Sequence, residues 1–167
     1  MKKIYRLIIV GCLIFTLFIP TNVLAAVTEK QTEWQDIVLS EEEFDEILSN
    51  NPNNNISVYK SGLIDSYSIG ISKNGNNLII AGKTNCTSNV TKCGFTKVIV
   101  QRRSSNRESW RNYQTYKDLY KSARTYALSK KLSVSSGYQY RVICTHYAKV
   151  NVFSTEKIDN TSNTIKF

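Results

Sequence analysis

FTKVIVQRRSSNRESWRNYQTY, residues 95–116, reads as two strands folded back on each other. Val98, Val100 and Phe95 alternate with polar side chains on the first strand, and Trp110, Tyr113 and Tyr116 anchor the second. The six residues 103–108 between them carry no apolar side chain, which is the composition of a turn. A hairpin of this kind cannot stand alone in water and must press its apolar face on another sheet.

The flanking sequence supplies that second sheet. Residues 66–72, SYSIGIS, put Tyr67, Ile69 and Ile71 on one face of a strand. Lys73-Asn74-Gly75-Asn76 is a turn, with Asn-Gly the strong hairpin signal. Residues 77–84 form the next strand, with Leu78, Ile79 and Ile80 largely buried, and a polar loop over 85–92 returns to the central hairpin. Residues 117–134 read two ways: Leu119, Tyr120, Ala123, Tyr126 and Ala127 fit a helix face, whereas Tyr126, Leu128, Leu132 and Val134 fit a strand. A loop or helical turn to Arg124 followed by a strand is the expectation. Residues 137–147, GYQYRVICTHY, then place Tyr140, Val142, Cys144 and His146 on one face. About seven strands at this spacing predict an all-β fold, an antiparallel sandwich over residues 56–167.

Upstream the period changes. Residues 49–55, SNNPNNN, are a linker by composition. Ser40-Glu41-Glu42-Glu43 is a capping box, and Phe44, Ile47 and Leu48 share one face, so residues 41–48 form a short amphipathic helix. At eight residues that helix needs a docking surface. Residues 27–38 show no period and are expected to be irregular. Lys2, Lys3 and Arg6, an apolar run over 7–19 and a small-residue end at Val23-Leu24-Ala25-Ala26 predict a Sec signal peptide over residues 1–26. The run of 13 residues is shorter than the roughly 20 that span a bilayer, and Cys12 sits inside it instead of at its end, where lipoprotein processing would need it. The expected chain is therefore secreted: signal peptide, an acidic arm over 27–55, then the sandwich.

The glycine, tyrosine and alternating apolar residues of Gly137-Tyr138-Gln139-Tyr140-Arg141-Val142 resemble the sixth strand of fibronectin type III and immunoglobulin-like sandwiches. The central hairpin, with its tryptophan shortly after the turn, fits the same pattern. Together with SYSIGIS, Gly82-Lys83-Thr84, Val100-Gln101-Arg102 and Trp110, this looks like a family of small secreted Gram-positive bacterial proteins of unknown function. The resemblance covers roughly residues 61–167 and implies an immunoglobulin-like fold; it supplies no active site.

Charge is unevenly distributed. Residues 27–60 carry two basic and eight acidic side chains, a net of −6, whereas residues 61–167 carry 17 basic and five acidic, a net of +12. Arg102, Arg103, Arg107 and Arg111 cluster on the central hairpin, with Lys130 and Lys131 beyond it, and aromatics interleave with them. Arginine beside aromatics can grip polyanions, so these six residues are the candidate anion-binding face. The acidic arm is expected to fold back on the hairpin arginines, such as Arg103 or Arg107, as a weak and salt-sensitive mask.

No catalytic or metal-binding constellation emerges, and no cofactor is expected. Cys144 and His146 share a strand face, as thiolate catalysis would need, but no oxyanion loop or orienting residue accompanies them, and a buried cysteine with a histidine at the strand's wet end is the preferred reading. One histidine among scattered cysteines lacks zinc spacing. Outside the membrane, Cys86 and Cys93 would close a short loop as a disulfide, Cys86–Cys144 would bridge the sheets, and free thiols remain the third option. The reading is a non-enzymatic secreted binding module contacting an anionic cell-wall polymer or membrane surface, with neither nucleic acid nor a small-molecule substrate indicated. The alternative is an antibacterial or toxin-like protein acting on membranes.

Overall fold

A computed structural model of the chain describes residues 33–52 and 62–167. The expected signal peptide, the linker residues 53–55 and the start of the expected sandwich, 56–61, lie outside the described residues. The elements are β1 (Gln35–Asp36), α1 (Glu41–Ser49), β2 (Ile64–Asn74), β3 (Asn77–Cys86), β4 (Lys92–Arg103), β5 (Arg111–Lys121), β6 (Thr125–Ser133), β7 (Gln139–Asn151), β8 (Ser154–Thr161) and β9 (Ile165–Lys166). Seven strands are long, and β1 and β9 have two residues each.

The strands form two packed antiparallel sheets, as the sequence predicts. The first has the order β1-β6-β3-β2; the second has β5-β4-β7-β8, with β9 paired to the start of β7. The first, second and fifth long strands thus share one sheet, and the third, fourth, sixth and seventh the other. That is the strand order of an immunoglobulin-type sandwich with an added edge strand. Ile69, Ile71, Leu78, Ile80, Leu128 and Leu132 of the first sheet interdigitate with Phe95, Val98, Val100, Tyr140, Val142 and Cys144 of the second.

Local chemistry explains the joints. Gly75 adopts φ +58° between β2 and β3, where a side chain would be strained. Gly137 adopts φ +84° before β7, and the Tyr140 hydroxyl donates to the Ser135 carbonyl at 3.1 Å, pinning the corner. The capping box forms as read: the Glu43 amide donates to Ser40 Oγ at 3.2 Å, and the Ser40 amide donates to the Glu43 carboxylate at 3.0 Å. The Ser40 amide, and with it the Ser40 hydroxyl, donates to the Glu43 carboxylate and holds that carboxyl below its ordinary range.

Three expectations change. Residues 117–121 do not leave the sheet: Leu119 and Tyr120 pair with Phe95 and Gly94, so β5 persists to Lys121 and only 122–124 turn. Strand pairing overrides the helical spacing there. Residues 35–36 are not irregular, since they add an edge strand to β6. Finally, the described part of the arm, residues 33–52, does not meet the hairpin arginines. Helix α1 packs on the outer face of the first sheet, with Ile47 against Ile79 and Ala81, and with Phe44 and Leu48 beside them. Gly70 makes the close approach possible, because a Cβ there would lie 2.2 Å from the Ile47 carbonyl oxygen. Beyond the helix, the buried Asn51 amide donates to the carbonyls of Ile69 and Thr161, tying the segment to β2 and β8.

Candidate functional site

Alternation decides what each sheet shows to solvent. Residues directly opposed across a ladder share a face, so the partners of Lys97, Gln101 and Arg103 on β4 map the outer face of the second sheet. They are Lys117 and Asn112 on β5, and Thr145, Arg141 and Gln139 on β7, with Asp159 and Lys157 following on β8. Lys97, Arg103, Lys117, Arg141 and Lys157 therefore stand on this face, joined by Lys166 opposite Gln139 and by the Lys92–Lys149 pair further along, and the acid among these positions is Asp159.

At one end the guanidinium carbons of Arg103 and Arg141 each lie 4.4 Å from the Trp110 ring. Amides hold both arginines in place. Arg103 Nε donates to Gln139 Oε1 at 2.7 Å and its Nη2 donates to Asn106 Oδ1 at 2.8 Å. Arg141 Nε donates to Gln101 Oε1 at 2.9 Å, and Gln101 donates onward to Asn112 Oδ1 at 2.9 Å. Among the described residues neither guanidinium has a carboxylate within ion-pair distance. Two like charges are thus gathered on one indole, oriented by neutral acceptors. Partial burial and the neighbouring Arg103 charge push the Arg141 pKa down, a cost that a bound anion would relieve. Toward the other end, a shallow cleft of about 440 Å³ is lined by Thr96, Lys97, Lys117, Thr145, Lys157 and Asp159.

The six residues singled out from the sequence do not gather. Arg103 belongs to this face. Arg102 points inward, its guanidinium 4.6 Å from the Tyr113 ring and 4.7 Å from that of Tyr138. Arg107 lies exposed in the turn, and Arg111 opposes Arg102 on the edge strand. Lys130 sits on the core side of β6, where it pairs with Asp36 and covers the Trp34 ring at 4.9 Å. Lys131 opposes Ile79 on the helix side of the first sheet.

The sequence reading misses Arg141, and it names Trp110 with Tyr113 and Tyr116 as anchors of the second strand without separating their faces. A β-bulge separates them: Val100 pairs with Gln114 but Gln101 pairs with Asn112, so Tyr113 is an extra residue. Tyr113 stays against the core, and every position before it changes face, turning Trp110 outward. Arg141 was legible, since alternation with the buried Tyr140 and Val142 puts it outside.

The Cys144–His146 pair is assembled, but inside the core. His146 is fully buried between the sheets, against the rings of Tyr67 and Phe95, and not at a wet strand end. Its Nδ1 lies 2.7 Å from Thr84 Oγ1 and its Nε2 lies 3.3 Å from Cys144 Sγ. Thr84 donates to the Gly94 carbonyl at 3.2 Å, so His146 Nδ1–H donates to Thr84 and Nε2 accepts from the Cys144 thiol. Burial pushes the Cys144 thiol up and the His146 pKa down to about 3. Both groups are neutral partners in a chain of hydrogen bonds across the sandwich. No three potential metal ligands converge among the described residues.

Cys86 and Cys93 meet with sulfurs 2.9 Å apart, away from Cys144. The Cys86 thiol donates to Cys93, which holds Cys86 up and Cys93 down in pKa. An oxidising dithiol–disulfide partner would take two electrons and two protons from this pair. The expected product is a Cys86–Cys93 disulfide closing an eight-residue loop, worth about 2.5 kcal/mol in the chain-entropy treatment. Thiol alkylation after unfolding the oxidised protein should leave Cys86 and Cys93 unmodified and label Cys144. Labelling of Cys93 would refute the pairing.

Comparisons with protein-family models, curated proteins and solved structures return no match.

Proposed function

We propose that the protein is a secreted, non-catalytic binding module whose second sheet lays its outer face along an anionic cell-envelope polymer. The observation that carries this reading is the Arg103–Trp110–Arg141 cluster: two guanidiniums oriented by amides, with no carboxylate partner among the described residues. Guanidiniums suit this role because each presents a planar fork of donors that matches phosphate or carboxylate oxygens. The strands supply length. From Arg103 to Lys97 along β4 is about 20 Å of extended chain, so an extended polymer would meet arginines first and lysines further on. Aromatic and amide side chains beside the cations favour a polymer with sugar or polyol character over a bare ion.

Titration of the full chain with purified anionic wall polymer at low salt tests the reading. Arg103→Gln combined with Arg141→Gln should weaken binding by about tenfold or more, since charged hydrogen bonds contribute ~1.5–3 kcal/mol each. Both side chains stand on the solvent face, so folding should be retained. Unchanged affinity in the double variant would refute the site.

A further inference from the structure

The hairpin between β7 and β8 turns at Val152 and Phe153, which are 74% and 97% exposed. Those are the positions where a tight turn ordinarily places glycine, asparagine or aspartate. Among the described residues no core element covers these two apolar side chains, so they gain little from the fold. The turn is nonetheless well built. Asn151 Oδ1 accepts from the Phe153 amide at 2.9 Å, and Asn151 pairs with Ser154. The loop before β4 is stitched to its base, with Thr91 Oγ1 donating to the carbonyls of Lys149 and Val150 at 3.0 and 2.9 Å. A firm stalk thus carries an apolar tip.

The charges around that tip identify what it meets. Lys92 opposes Lys149 at this end of the second sheet, and Lys157 stands opposite Tyr147 on the neighbouring strand. Tyr147 packs on Tyr120, whose ring Lys92 covers at 5.5 Å. The nearby acid, Glu156, is already engaged, its carboxylate accepting from the amides of Leu63 and Ile64. Apolar residues at a protruding tip, ringed by lysines and tyrosines at the height of its base, match the layering of an anionic bilayer surface: acyl chains, then headgroups. We infer that Val152 and Phe153 enter the acyl boundary of an anionic lipid surface while Lys92, Lys149 and Lys157 meet its headgroups. This docking surface is separate from the arginine cluster, which lies at the opposite end of the sheet, and does not depend on it.

Cosedimentation of the full chain with vesicles of phosphatidylglycerol and phosphatidylcholine tests the inference. Val152→Ser combined with Phe153→Ser should lower the apparent affinity by about tenfold or more, the loss expected from two partly inserted apolar side chains. The N-terminal apolar run is common to both proteins and cancels in the comparison. Arg103→Gln with Arg141→Gln should leave vesicle binding intact, so failure of the polymer reading and failure of this one are separable. In a second measurement, Phe153→Trp should gain quenching by brominated acyl chains on vesicle addition. The inference is overturned if the serine variant binds vesicles like the wild type, if pure phosphatidylcholine binds equally well, or if tryptophan at position 153 is not quenched. It is also overturned if the serine variant instead converts a dimer to a monomer, which would make the tip a self-association surface.

Discussion

Lowering the pH from 7 to 4 is expected to remove about 3 kcal/mol of stability through His146 alone. The folded protein holds this imidazole neutral because it is fully buried between two sheets. Both ring nitrogens are committed, Nδ1 to Thr84 and Nε2 to the Cys144 thiol. A second proton would turn the Nε2 acceptor into a donor facing a thiol, with no carboxylate paired to the ring among the described residues. The folded pKa is thus depressed to about 3 from an ordinary value of 6.5. The unfolded chain binds a proton as the pH drops through about 6.5, and the folded chain follows only near 3. The contribution is therefore fully present above 6.5 and is lost progressively between those two values. Urea unfolding of wild type and His146→Phe at both pH values isolates it from the carboxylates. The stability difference between the two proteins should shift by about 3 kcal/mol against the wild type on acidification. A constant difference would mean that His146 titrates normally and is not sealed in the core.

The second large effect concerns the arm. Gly70→Ala should cost about 2–4 kcal/mol, because the new methyl would overlap the Ile47 carbonyl and force helix α1 off the sheet. Ile47, Phe44 and Leu48 would then lose their cover on Ile79 and Ala81. Thermal unfolding measures it directly, and hydrogen exchange at α1 should rise in the same variant. Ile47→Ala, which leaves space instead of a clash, should destabilise by a similar 2–4 kcal/mol. If both variants melt like the wild type, the helix is a loose appendage, as expected of a displaceable mask, and not part of the packed structure.

These two cases show where sequence reading succeeds and where it stops. Period-two patterning is local, so the strands around Ile69, Leu78, Val98 and Val142 were readable, as was the capping box at Ser40. The corner at Gly137 and Tyr140 was readable because a positive φ and a reaching hydroxyl leave residue-type signatures. What sequence could not supply was relative placement. The helix acids that complement a basic hairpin in one dimension ride with α1 on the outer face of the other sheet in three, because Gly70 opens a seat for Ile47 there. The candidate site suffered from a single residue. With Tyr113 bulged, Trp110 leaves the core for the solvent face and meets Arg103 and Arg141. A bulge carries no compositional mark at that position, so the sequence does not show which face Trp110 takes. Arg102 and Lys130 failed as surface cations for a related reason: both occupy inward positions near a sheet margin, where long side chains cover aromatic rings.

The outer face of the second sheet, and no other surface, is expected to hold the anionic polymer. Backbone amide chemical-shift mapping during titration with that polymer tests it most directly. Perturbations should begin at Arg103, Trp110 and Arg141, extend to Lys97 and Lys117, and fade as salt is added. Perturbations centred instead on Lys131 and the helix side of the first sheet, or shifts indifferent to salt, would contradict it.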